Sequence, residues 1–168
     1  MTKNLNRLLA ILKEQADLID KLNQSSNFRY KSIQSLVLAS GQPFVKTVKS
    51  PFKGKSKACF ENCLQALLGY PNFHYCEGFA IDDELPIAVF HAWLVNDAGE
   101  VVEPTWIGKK HKGSTYFGVV LNREFVFEIA QKTKCYGILD SDYMNGHQLM
   151  RKGFPPNALR QNTLSQKS

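Results

Sequence analysis

Three residues combine the types needed to make a thiol reactive: Cys59, His91 and Glu103. Cys59 opens the amphipathic segment KACFENCLQALLGY, residues 57–70. The amide groups of a helix N-terminus favour a thiolate over a thiol. His91 lies in HAWLV and Glu103 in VVEPTW. A thiol attacks acyl carbon well once it has lost its proton, and a neighbouring imidazole can take that proton. A carboxylate on the second imidazole nitrogen orients the ring and stabilises its charged form. An oxyanion formed during such an attack needs donors. The backbone N–H of Cys59 or Phe60 is the economical source, with the side chains of Gln42 and Asn62 as further candidates. Glu77, in YCEGF, is the fallback acid.

The elements that must position these residues follow from periodicity. Phe60, Cys63, Leu64 and Leu67 form one stripe of a helix from Cys59 to Leu68, closed by Gly69 with Pro71 beyond it. Strands are expected at 73–81, 86–95, 100–106 and 116–121. NDAGE, residues 96–100, has the composition of a turn joining two antiparallel strands. If those strands pair, positions summing to about 195 face each other, and His91 falls opposite residue 104 or so. Glu103 and Thr105 are then its near neighbours, and a slip of one residue decides which shares its face.

The rest of the chain supplies the frame. Residues 3–23 carry Leu5, Leu8, Leu12, Ile19 and Leu22 at helical spacing, a helix for either its own domain or a partner. Residues 32–40 read as a second short helix or a strand. Pro43, Pro51 and Gly54 argue against regular structure from 42 to 57, where Lys46, Lys49, Lys53, Lys55 and Lys57 occur without an acid among them. GKKHKGS, residues 108–114, is a second cationic loop. Asn122 is placed to cap a helix, CYGILD (135–140) reads as a strand, and 141–153 as a helix ended by Pro155 and Pro156. The expected fold class is α+β: the Cys-bearing helix packs on an antiparallel sheet carrying His91 and Glu103. The expected division is an N-terminal helical segment at 1–41, a catalytic domain at 42–156 and a polar tail at 157–168.

Other roles compete for the same residues. A buried cysteine is commonly an inert small hydrophobe, the natural role for Cys63 and Cys76. Cys59, Cys63, His74 and Cys76 read as C-x3-C-x10-H-x-C, ligand types that zinc accepts, but without a CxxC knuckle; no metal or other cofactor is assigned. The lysines, Lys55 and Lys57 nearest the thiol, could steer an acidic substrate, engage an acidic partner or simply face solvent. Trp93 and Trp106 could form core or cleft walls.

Composition bounds these readings. The 168 residues carry a formal charge of +6, with 43% hydrophobic and 11% aromatic residues, which is a globular composition sized for one domain. No secretory signal is apparent, and no apolar run approaches the length of a membrane span, so a cytoplasmic protein with reduced thiols is expected. No RRM, KH, helix-turn-helix or P-loop pattern is present, so charge alone points to nucleic acid, which is not assigned as a partner.

The order of a Cys opening a helix, HAW in a strand and an acid-Pro-Thr turn after it resembles the transglutaminase-like branch of the papain-like cysteine enzymes. HAWLVNDAGEVVEPTW is similar to that pattern, with Glu103 where Asp is usual. CFEN, residues 59–62, resembles the nucleophile segment of arylamine N-acetyltransferases, although Lys55, Ser56 and Lys57 replace their Arg-Gly-Gly lead-in. The resemblance covers roughly residues 57–121. It implies a papain-like core, Cys59 as nucleophile, His91 as base and acid, and Glu103 as orienting carboxylate. It also implies hydrolysis or transfer at an amide, isopeptide or acyl bond, on a protein, a peptide or a small acyl donor. The alternative is a non-catalytic module that uses the cationic loops at 46–57 and 109–112 on an acidic partner.

Overall fold

The computed structural model describes residues 2–107 and 111–160. Its elements run α1 (Lys3–Leu22), α2 (Ile33–Ser40), β1 (Gln42–Phe44), β2 (Thr47–Val48), α3 (Cys59–Gly69), β3 (His74–Ile81), β4 (Val89–Val95), β5 (Val101–Val102), β6 (Thr115–Leu121), α4 (Arg123–Thr133) and α5 (Gln148–Lys152). The class is α+β, as expected. Among the described residues no helix is long and apolar enough to cross a membrane.

One mixed sheet organises the chain, in the order β1-β6-β3-β4-β5-β2. Its two outermost strands, β1 and β2, come from the same stretch and are separated only by Val45 and Lys46. So short a link cannot span an open six-stranded sheet, since strands lie about 4.8 Å apart. The sheet must curl until its edges approach each other. The absence of regular structure expected from 42 to 57 holds from 49 onward and is corrected for the two short strands before it. Pro43 sits on an edge strand, where its missing N–H costs no ladder bond.

The curl sorts side chains by parity. Phe44, Cys76, Ala80, Trp93, Val95, Val101, Tyr116 and Val120 fill the inside. Tyr75, Phe79, Ala92, Leu94, Phe117 and Val119 face outward and pack under the helices. Leu5, Leu8 and Leu12 of α1 belong to this same outer core, so the N-terminal helix is built into the domain. Its far end leaves Leu18 and Leu22 exposed.

Other expectations change in detail. CYGILD forms no strand. The backbone N–H groups of Ile138 and Asp140 donate to the Glu77 carboxylate, and the Tyr136 carbonyl accepts from the Tyr75 hydroxyl. The helix expected at 141–153 breaks into a short 3-10 turn at Asp142–Asn145 and then α5, because Gly146 and His147 both adopt positive φ. The tail is tied down at its start: Leu159 bridges to Leu121, and the Asn122 side chain donates to the carbonyls of Asn157 and Leu159. Asn122 therefore stands at the N-cap of α4 while its side chain serves the tail. Residues 161–168 lie outside the described residues.

Candidate active site

Two clamps fix the position of α3. At its C-terminal end the Arg123 guanidinium donates to the carbonyls of Leu67, Tyr70, Pro71 and Phe73. At its start, Asn62 binds the incoming loop. Its Oδ1 accepts from the Lys55 N–H at 3.0 Å, and its Nδ2 donates to the Lys55 carbonyl at 2.8 Å and to Thr105 Oγ1 at 2.9 Å. Gly54 lies against this amide so closely that a Cβ there would collide with it, and the Gly54 N–H donates to the Pro104 carbonyl. Lys57 then takes a left-handed φ of 61° to turn the chain into the helix. Ala58 offers no side-chain cap, so the first N–H groups of α3 gain no partner from that position. Phe60 is among them. Asn62 uses both amide hydrogens in the clamp.

Strand register decides the imidazole's partner. β4 and β5 pair Leu94 with Val102 and Val95 with Val101. That parity places residue 103 on the face of His91 and Trp93. β5 covers only this end of β4, so the edge beside His91 is open where Thr105 meets the start of α3. His91 Nε2 contacts Glu103 Oε2 at 2.8 Å, and both side chains are buried. Glu103 Oε2 also accepts from the Tyr116 hydroxyl at 3.2 Å, while Oε1 accepts from the N–H groups of Thr105 and Trp106 at 2.7 and 3.0 Å. The carboxylate is thus saturated with donors. The half-buried Cys59 lies close enough to the imidazole to raise its pKa. With Nε2 given to Glu103, Nδ1 is the nitrogen left for it.

The charges follow from these contacts. Burial alone would push the His91 pKa down, but the Glu103 charge and the adjacent Cys59 sulfur overcome it and raise it to about 9. Burial likewise pushes Glu103 up, yet His91 and the two backbone donors hold it below its ordinary value. A charged pair that is nearly desolvated persists only when each partner is fully bonded.

The remaining candidates fall elsewhere. Glu77 pairs in register with Ala92, so it points to the helix-covered face, opposite to His91. Burial raises it to about 7 against the backbone donors of Asp140 and Ile138, and it anchors that loop. Gln42 shares the level of His91 but lies three strands away, across Gly118 and Gly78. Trp93 is fully buried inside the curl, a core role. Lys55 is exposed and paired with Glu61 at 2.8 Å, and Lys57 is exposed. Cys63 lies in the outer core and Cys76 in the inner one, so the sheet separates them. Among the described residues no cluster of His, Cys, Asp or Glu could hold a metal ion.

Trp106 is half-buried and lies directly on the imidazole of His91, with ring centroids 4.4 Å apart. Its other face stacks on His111 at 4.8 Å, and His111 Nδ1 contacts Asp82 Oδ2 at 2.8 Å. A second His–carboxylate pair thus closes the stack. No local spacing signals it, because Asp82 and His111 lie far apart along the chain. Tyr116, the fourth contact of Glu103, was likewise read only as a strand residue. Of the second cationic loop, residues 108–110 lie outside the described residues. No family model, no curated protein and no solved structure matches the chain.

Proposed function

We propose that this protein is a thiol enzyme of hydrolase or acyltransferase type, with Cys59 as nucleophile, His91 as general base and acid, and Glu103 as orienting carboxylate. The observation that carries the reading is the arrangement around one buried imidazole. One of its nitrogens is held by a carboxylate with no acceptor capacity to spare, and the other is available to a thiol at the start of a helix. His91, raised to about 9, already holds the proton given up by Cys59, and Sγ attacks an acyl carbon as the thiolate of that pair. The tetrahedral oxyanion finds N–H donors at the head of α3, with the Phe60 amide as the nearest candidate. Collapse breaks the bond to the leaving group, which takes the proton from His91. Water or an amine, deprotonated by His91, then releases the acyl group from the thioester. The sequence likeness to papain-like and transglutaminase-like enzymes agrees with this chemistry, and a papain-like core is part of the proposal.

Site-resolved alkylation tests it. Cys59 should react with iodoacetamide faster than Cys63, Cys76 and Cys135, and more slowly once His91 is replaced by alanine. Equal, slow labelling of all four thiols would refute it. The exposure of the 46–57 loop keeps a second reading in play, a module that binds an acidic partner through charge alone. That reading requires partner binding to survive Cys59→Ala together with the whole biological effect.

A further inference from the structure

A cavity of about 470 Å³ opens between the cationic arm and the candidate triad. Val48, Pro51, Phe52, Trp106 and Ile107 supply its apolar walls, and Lys49 and Lys53 stand on the same wall set. The volume falls in the range of small-molecule sites, and the mixture of apolar walls with a few charged groups is typical of them.

The electrostatics of this cavity are one-sided. Lys46 is paired with Glu100, and Lys55 with Glu61, so two cations of the arm are already neutralised. Lys49 and Lys53 have no acidic partner among the described residues. Among the described residues the one carboxylate lining the cavity is Glu103, and its oxygens are committed to His91, Tyr116, Thr105 and Trp106. An anion entering here meets two unpaired cations and an acid whose charge is matched by His91. The arm that carries the lysines is also fixed rather than free. Its backbone is fastened at Gly54 to Pro104 and at Lys55 to Asn62, and Ser50 Oγ donates to the Phe52 carbonyl. The backbone that carries Lys49 and Lys53 is therefore held beside the aromatic wall, with both lysines exposed.

We infer that this cavity is a binding site for a small organic anion, an apolar or aromatic body that packs against Phe52 and Trp106 with a carboxylate, phosphate or sulfonate held by Lys49 and Lys53. Trp106 is stacked between His91 and His111, so the ligand meets its edge, beside the candidate base. That it is the anionic end of the acyl substrate or acceptor rests on the thiol reading; the binding itself does not. A concave, apolar-lined cavity suits a compact ligand better than an acidic polypeptide, which would need a broad charged face.

The probe pair 8-anilinonaphthalene-1-sulfonate and its uncharged counterpart N-phenyl-1-naphthylamine separates charge from apolar burial. Fluorescence titration should show the sulfonate binding about tenfold more tightly than the neutral probe, as expected for two partly solvated cations. Lys49→Glu with Lys53→Glu should abolish that preference and leave the neutral probe unchanged. Both positions are exposed, so the double variant keeps the fold. Cys59→Ala should bind both probes as the wild type does, whereas intact probe binding by a wild type whose Cys59 labels no faster than the other thiols fails the enzyme reading alone. Equal affinity for the two probes, or a preference that survives the double variant, overturns the anion site. Weak binding of both probes with salt-sensitive, lysine-dependent binding of polyglutamate overturns it in favour of a macromolecular partner.

Discussion

Replacing Glu103 by Gln removes a charge while leaving most of the local shape in place. Gln Oε1 can still accept from the N–H groups of Thr105 and Trp106, now at 2.7 and 3.0 Å. What changes is the group 2.8 Å from His91, from an anion to a neutral amide. His91 is raised to about 9 chiefly by that anion, against burial that lowers it. Relative to an ordinary histidine near 6.5, this is worth roughly 3 kcal/mol in favour of the charged ring. The sign follows from linkage. A group raised in the folded state contributes fully below its unfolded pKa and loses that contribution as pH rises through its folded value. Glu103→Gln should therefore cost roughly 3 kcal/mol near pH 6 and progressively less as pH climbs through about 9. Urea denaturation at several pH values measures this directly, and the imidazole resonances of the four histidines give the titration of His91 itself. In the variant His91 should titrate below its ordinary value, because burial then acts with little opposition. A wild-type His91 titrating near 6.5, or a stability loss independent of pH, would refute the reasoning.

Three further outcomes follow from other parts of the structure. Glu77→Ala should destabilise by about 2–4 kcal/mol, since the backbone N–H groups of Ile138 and Asp140 lose their acceptor, while the alkylation rate of Cys59 stays put; a collapse of that rate in a still-folded variant would restore Glu77 as the working acid. Asn62→Ala should cost about 1–3 kcal/mol by releasing Lys55 and Thr105. Unchanged stability with lost acyl transfer would instead make its amide an oxyanion donor. Lys57→Gly should raise stability by about 0.5–1 kcal/mol, because a side chain at φ 61° is strained where glycine is not; a drop in the urea midpoint would show that the Lys57 side chain matters more than its backbone.

Much of the site was legible because it rests on periodicity. The α3 stripe and the parity of HAWLV against VVEPTW depend only on repeats of 3.6 and 2, and the observed register shifts the expected pairing by a single position. Strand β5 proved far shorter than 100–106, since Glu103 bends back to accept from Thr105 and Trp106 instead of continuing the ladder. Strands β1 and β2 were hidden because a two-residue strand has no period to detect, and Pro43 speaks against one until the edge position is known. CYGILD has the composition of a strand, yet a buried carboxylate far along the chain takes its N–H groups. The pairing of His111 with Asp82 and the contact from Tyr116 to Glu103 are long-range in the same way. Curling of the sheet brings such pairs together, and no local pattern encodes it.

The central claim is that Cys59 forms a thioester with the help of His91. Brief exposure of the protein to p-nitrophenyl acetate, followed by peptide mass spectrometry, tests it most directly. An acetyl group should appear on Cys59 in the wild type, decay with time in water or faster with an added amine, and form far more slowly in His91→Ala. Acetylation confined to lysines, or a Cys59 adduct whose rate ignores His91, would contradict the account.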